Sequence, residues 1–75
     1  MESLLDFSEG DSGCIKDFDL DERTTFRLET RGIRAGKQVK LVARQPMGPY
    51  ILDVSGTRLA VGRDMVSGIR VDRFE

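Results

Sequence analysis

Between Tyr50 and Val61 the sequence favours a single strand pairing. A two-residue Ser55-Gly56 loop sets Val54 against Thr57, Asp53 against Arg58, Leu52 against Leu59, Ile51 against Ala60 and Tyr50 against Val61. On one face this stacks two apolar pairs, Tyr50 with Val61 and Leu52 with Leu59. On the other it sets the carboxylate of Asp53 opposite the guanidinium of Arg58. A slip of one residue would turn every apolar side chain to the wrong face and separate the charges, so the register is specified twice over.

The neighbouring segments extend the same logic. From Lys37 to Arg44 the pattern has a period of two, with Val39, Leu41 and Ala43 on one side and Gln38, Lys40, Val42 and Arg44 on the other. Pro46-Met47-Gly48-Pro49 ends that strand, because proline has no amide to donate to a ladder. Gly13 to Phe18 reads as an earlier strand with Ile15 in the core. Phe18 lies three residues on instead of two, so that strand either ends there or carries a bulge. Leu4, Leu5 and Phe7 open the chain, and Glu9-Gly10-Asp11 reads as a turn. Asp21 is a good N-cap for a helix from about Glu22 to Arg31, with Gly32 as its left-handed stop and Ile33 folding back onto the core. Leu28, Ile33 and part of Phe26 form its thin apolar face. Asp64 is expected to cap a single turn through Met65 and Val66, and Gly68 to release a last strand with Ile69 and Val71 inward. These elements predict a mainly β domain, a small SH3-like barrel of about five short strands with one inserted short helix. The expected core is Leu28, Ile33, Val39, Leu41, Leu52, Leu59, Val61, Ile69 and Val71.

Seventy-five residues suffice for one domain, expected to span 1–75. A chain this short buries only about 60–65% of its unfolded surface and encloses no deep cleft, which argues against an enzyme. No apolar run approaches the ~20 residues of a membrane span, and Met1-Glu2-Ser3 lacks the basic, apolar layout of a signal peptide. A cytoplasmic protein is expected, with no direct insertion into membrane. The single cysteine, Cys14, allows no internal disulfide, and the absence of histidine removes the usual soft-metal sites and any Ser/His or Cys/His catalytic pair. Cys14 with Asp11, Asp17 and Asp19 makes a poor ligand set on an alternating strand, and a lone strand cysteine serves more often as a small packed hydrophobe. No catalytic, cofactor or metal residue is assigned and no cofactor is required.

Charge is distributed unevenly. Residues 1–22 hold eight acids against Lys16, whereas residues 23–44 hold seven bases against Glu29. The two blocks either neutralise each other side by side or leave a docking face for an acidic partner. Arg23, Arg27 and Arg31 are spaced four apart on the helix, where like charges cost a few tenths of a kcal/mol per pair, so helix stability does not ask for them. With Arg34 they are the candidate partner-binding residues. Structurally, Arg27 would pair with an N-terminal carboxylate. Arg34 and Arg63, read as loop arginines, are candidates for a finger inserted into a phosphoryl-transfer site. The glycines form no phosphate-binding pattern, and exposed aromatics among basic residues are too few to suggest nucleic acid.

The joint order of these pieces resembles the FeoA domain of ferrous iron transport. The residues that carry the resemblance are Leu4-Leu5, Gly10, Gly13, Ile15, Phe18, Arg27-Leu28, Gly32-Ile33, Gly36, Val39, Pro46, Gly48-Pro49, Leu52, Gly56, Leu59-Ala60-Val61 and Ile69-Arg70-Val71. Arg31, Ala35 and Val66 depart from its usual apolar residue, proline and alanine. The resemblance implies a cytosolic accessory or regulatory interaction protein of ferrous iron uptake. It would act on the permease that carries a cytosolic GTPase domain, and weak binding of Fe2+ or another transition metal is left open. Related domains also form the C-terminal part of metal-dependent repressors. The alternatives are a stand-alone relative of that domain, or a generic SH3-like adaptor for peptide or nucleic acid.

Overall fold

In the computed structural model, which describes residues 2–74, the Tyr50–Val61 hairpin has all five expected pairs. Both turn residues have positive φ, 52° at Ser55 and 93° at Gly56, so the turn twists with its strands. The Gly56 amide donates to Asp53 Oδ1 at 2.8 Å. Built outward from this hairpin, the strands are β1 (Glu2–Ser3), β2 (Ser12–Phe18), β3 (Gln38–Ala43), β4 (Tyr50–Val54), β5 (Thr57–Val61) and β6 (Ile69–Arg73). They form one antiparallel sheet in the order β1-β6-β2-β3-β4-β5. Helix α1 (Glu22–Thr30) joins β2 to β3, and a single turn, α2 (Arg63–Val66), joins β5 to β6.

Two departures from the expected barrel concern the sheet edges. Among the described residues there are six strands, not five, because Glu2 and Ser3 pair with Val71 and Arg70. The sheet also stays open, with β1 at one edge and β5 at the other. At the β1 edge, Arg73 reaches back to Glu2 at 2.8 Å, to the Asp6 carbonyl at 3.3 Å and to Asp11, and its guanidinium lies 4.8 Å from the Phe7 ring centroid. At the β5 edge, Arg31 donates to the Ala60 carbonyl at 3.0 Å. At the β5 edge a side-chain donor thus occupies a backbone position that a closing strand would have covered.

The α1 termini follow their sequence signals. Asp21 accepts from the Thr24 amide at 2.8 Å, as an N-cap should. The helix ends at Thr30, one residue before the expected end. Gly32 follows at φ 92°, its amide bonded to the Glu29 carbonyl, while the Ile33 amide returns to Leu28 at 3.1 Å. This pair of bonds satisfies the terminal carbonyls and buries Leu28 and Ile33 together. At α2 the expectation for Asp64 is corrected. The turn begins two residues early, so Gly62 occupies the N-cap without a side-chain bond and Asp64 lies inside the first turn.

One cluster of fully or nearly fully buried side chains fills the centre. It contains every expected core residue except Leu59, together with Leu4, Phe7, Ile15, Tyr50, Val54 and Val66. Leu59 packs against the cluster but is half-buried, because β5 has a neighbour on one side only. The bulge foreseen before Phe18 falls between Ile15 and Asp17. A second one, between Leu41 and Ala43, leaves Val42 unpaired and half-buried instead of in the outward row.

Candidate functional site

Nine residues of helix with one fully buried position leave most of α1 in water. Side chains turn ~100° per residue, so with Leu28 pointing inward, Phe26 two positions earlier must point away. It is 65% exposed, which corrects its assignment to the apolar face. Around it the arginines divide into separate places. Arg23 lies beside Phe26 and the half-buried Leu20 in a shallow concavity on one flank of the helix. Arg27 and Arg31 line a second depression with Met65 of α2. Arg31 also turns toward the hairpin, where it lines a third cleft with Arg34 and Lys37. The even stripe implied by i, i+4 spacing is therefore broken at its last member, because Arg31 follows the helix and reaches for the edge of β5.

Two acids of the helix, Glu22 and Glu29, share the concavity of Arg23 and Phe26. Among the described residues no carboxylate lies within ion-pair distance of Arg23, Arg27, Arg31 or Arg34, so the expected pairing of Arg27 with an N-terminal carboxylate does not form. Three acids of the N-terminal block pair with the last strand instead. Asp17 meets Arg70 at 3.1 Å, and Glu2 and Asp11 share Arg73. Lys16 pairs with Asp72 at 3.3 Å. The hydrogen bond from Arg73 holds the Glu2 carboxyl below its ordinary range, and the Thr24 bonds do the same for Asp21. Of the basic block, Arg44 reaches the N-terminal segment through both its amide and its side chain. Its amide donates to Glu9 at 2.8 Å, and its guanidinium donates to the Leu5 and Phe7 carbonyls.

Arg63 is likewise placed differently from its reading as a loop arginine. It opens α2 and lies 5.6 Å from the centroid of the Tyr50 ring, which Arg44 also approaches at 5.8 Å. Arg34 does sit in a loop, with Nε donating to the Glu29 carbonyl at 3.1 Å.

The residues present do not fit a firmly held transition metal. The Cys14 thiol donates to the carbonyl of Ile15 at 3.7 Å, and Asp11 is engaged by Arg73. Among the described residues no three Cys, Asp or Glu side chains converge. Thermal melts with and without a chelator should therefore coincide; a clear fall in melting temperature on chelation would reveal a metal-dependent fold. Among the same residues no helix is long and apolar enough to cross a membrane.

The chain is a small, mainly β domain whose helix α1 carries, among the described residues, arginines without carboxylate partners, and Arg23 stands beside the exposed Phe26. The family follows from comparison: the FeoA domain model matches residues 2–73, and the chain belongs to the FeoA family. A protein of Methanocaldococcus jannaschii provisionally named Fe(2+) transport protein A is 31% identical over 75 residues, which are all of this chain and 90% of that one. A crystal structure described as the iron uptake regulatory protein FeoA is 25% identical and superposes with a TM-score of 0.88, covering 96% of each chain. Stenotrophomonas maltophilia FeoA, an SH3 domain protein solved with zinc, shares the fold at a TM-score of 0.75 and 23% identity over 96% of this chain and 91% of its own.

Proposed function

We propose that this protein is a cytoplasmic accessory of ferrous iron transport. It acts without catalysing a reaction, by binding the cytosolic GTPase-bearing part of the iron permease through the exposed face of α1. Membership of the FeoA family supports the process. The observation that carries the surface is the set of helix arginines without carboxylate partners, standing beside the exposed Phe26. Burial of an aromatic anchor with an arginine beside it is a common way for a small surface to gain affinity and orientation. Arg23 and Arg27 supply the positive field, and Arg31 and Arg34 extend it past the helix end. Iron, in this reading, is cargo of the permease and is not held by this chain.

Arg23→Glu/Arg27→Glu is the informative variant, because among the described residues neither side chain has a hydrogen-bond or ion-pair partner. Its melting temperature should match the parent's. Its association rate with the soluble GTPase part of a ferrous iron permease should fall, and the difference from the parent should shrink as salt rises, since screening operates over ~8 Å at physiological ionic strength. Equal rates for variant and parent would remove the helix face from the interface.

A further inference from the structure

We propose that the cleft between the end of α1 and the hairpin tip is a binding site for a small free oxyanion of the phosphate class. Three cations, Arg31, Arg34 and Lys37, line it together with the hydroxyl-bearing Ser55 and Thr57, and Val54 lies beneath. No acidic side chain takes part in the lining. Like charges held at one place without a counter-ion are unfavourable in the free protein, and an anion would relieve them.

The geometry is prepared in advance. Arg31 is tethered by one terminal nitrogen to the Ala60 carbonyl, and Arg34 by Nε to the Glu29 carbonyl. Each guanidinium has five N–H donors, so each keeps donors free after its tether is made. The Ser55 and Thr57 hydroxyls make no hydrogen bond within the described structure, and both can donate. A tetrahedral dianion matches this set better than a carboxylate does. It offers more acceptor oxygens and a second charge, and bidentate contact to arginine suits it. The cleft, about 250 Å³, is smaller than the ~300–1,000 Å³ of pockets that hold drug-sized ligands, so it fits the anionic group itself.

The site arises from the local fold. The Gly32 stop turns the chain so that Arg34 and Lys37 follow the helix end. The tight turn at Ser55-Gly56 brings the hairpin tip alongside, where the Ser55 amide bonds to the Gln38 carbonyl at 3.0 Å. Arg31 and Arg34 belong to the proposed docking face as well, whereas Lys37, Ser55 and Thr57 lie outside it, so substitutions at Lys37 and Thr57 test the cleft without altering the helix face.

The test is an NMR titration of the full chain with inorganic phosphate and with pyrophosphate at constant ionic strength, with acetate as the carboxylate control. Saturable shifts confined to residues 31–37 and 54–57, absent with acetate, are expected. Lys37→Gln and Thr57→Val should keep the parent's fold and spectrum away from the cleft, and Lys37→Gln should weaken phosphate-class binding by about tenfold or more, the scale of a hydrogen bond to a charged group. Arg23→Glu/Arg27→Glu should bind the anions as the parent does. Shifts that grow linearly, spread over all basic residues, or appear equally with acetate would overturn the proposal. So would co-sedimentation with phosphatidylglycerol vesicles in the absence of any response to the free anions, since the source would then be a lipid headgroup.

Discussion

Leu52→Ala is expected to lower the unfolding free energy by about 2–5 kcal/mol, the range for removing a fully buried leucine and leaving a cavity behind. Leu52 sits in the middle of β4 between Leu41 of β3 and Leu59 of β5, and none of its side chain reaches water. Neighbours on rigid central strands cannot collapse far into the void, which places the cost toward the upper part of that range. A domain of this length has about 4–11 kcal/mol in total, so one substitution removes a large share and leaves a measurable unfolded population. Urea denaturation should show a midpoint displaced to lower concentration with an unchanged slope. Leu59→Ala is the internal control. Half-buried on the edge strand, it should cost distinctly less. Equal costs for the two would mean that the register-derived burial order of this hairpin is wrong.

That hairpin was legible because two independent signals, apolar stacking and the Asp53/Arg58 pair, demanded the same register. The Gly32 stop was legible for a similar reason, since glycine, the following Ile33 and the preceding Leu28 each favour one helix ending. β1 was not. Two residues carry no period, and what places Glu2 and Ser3 beside β6 is tertiary: the burial of Leu4 and Phe7, and the Arg73 ion pairs that reach back from sixty or more residues away. The open sheet escaped for the same reason. Whether two distant edges meet depends on curvature accumulated over all the strands, and no local pattern encodes it.

The functional surface was only partly readable. Spacing brought out Arg23, Arg27 and Arg31, and it also held the signal for the exposed Phe26, because a residue two before a buried helix position cannot share its face. The separation of Arg31 from its stripe was not encoded that way. It depends on where β5 lies relative to the end of α1, a relation between segments some thirty residues apart in sequence. Charge totals left open whether the acidic block meets the basic one that follows it. The sheet order places β6 beside both β1 and β2 and so gives Arg70 and Arg73 to three of the acids. Topology thus assigns Glu2, Asp11 and Asp17 to β6 and none of them to the helix cations.

Gly13→Ala should destabilise the domain by about 3 kcal/mol or more, at or beyond the upper end of ordinary overpacking. The reason is contact with backbone. A Cβ built on Gly13 would lie 2.2 Å from the Asp72 carbonyl oxygen and 3.0 Å from the Cα of Arg73. Neither atom can swing aside as a side chain would, since Gly13 and Arg73 are partners in the β2–β6 ladder. A glycine inside a strand often marks such a close approach. Relief requires β6 to move away from β2, and β6 is also the strand that holds β1 through Glu2 and Val71. The methyl group would therefore loosen three strands at once, together with the Arg73 ties to Glu2 and Asp11 that depend on their spacing. Amide hydrogen exchange can separate this from a general loss of stability. Protection should fall first in β1, β2 and β6, while the β4–β5 hairpin keeps its relative order. Cys14→Ala, one residue along and with no new atom to place, should leave the exchange pattern close to the parent's. A Gly13→Ala protein as stable as the parent would show that β2 and β6 can separate freely, contrary to the tight pairing on which the N-terminal half of the fold rests.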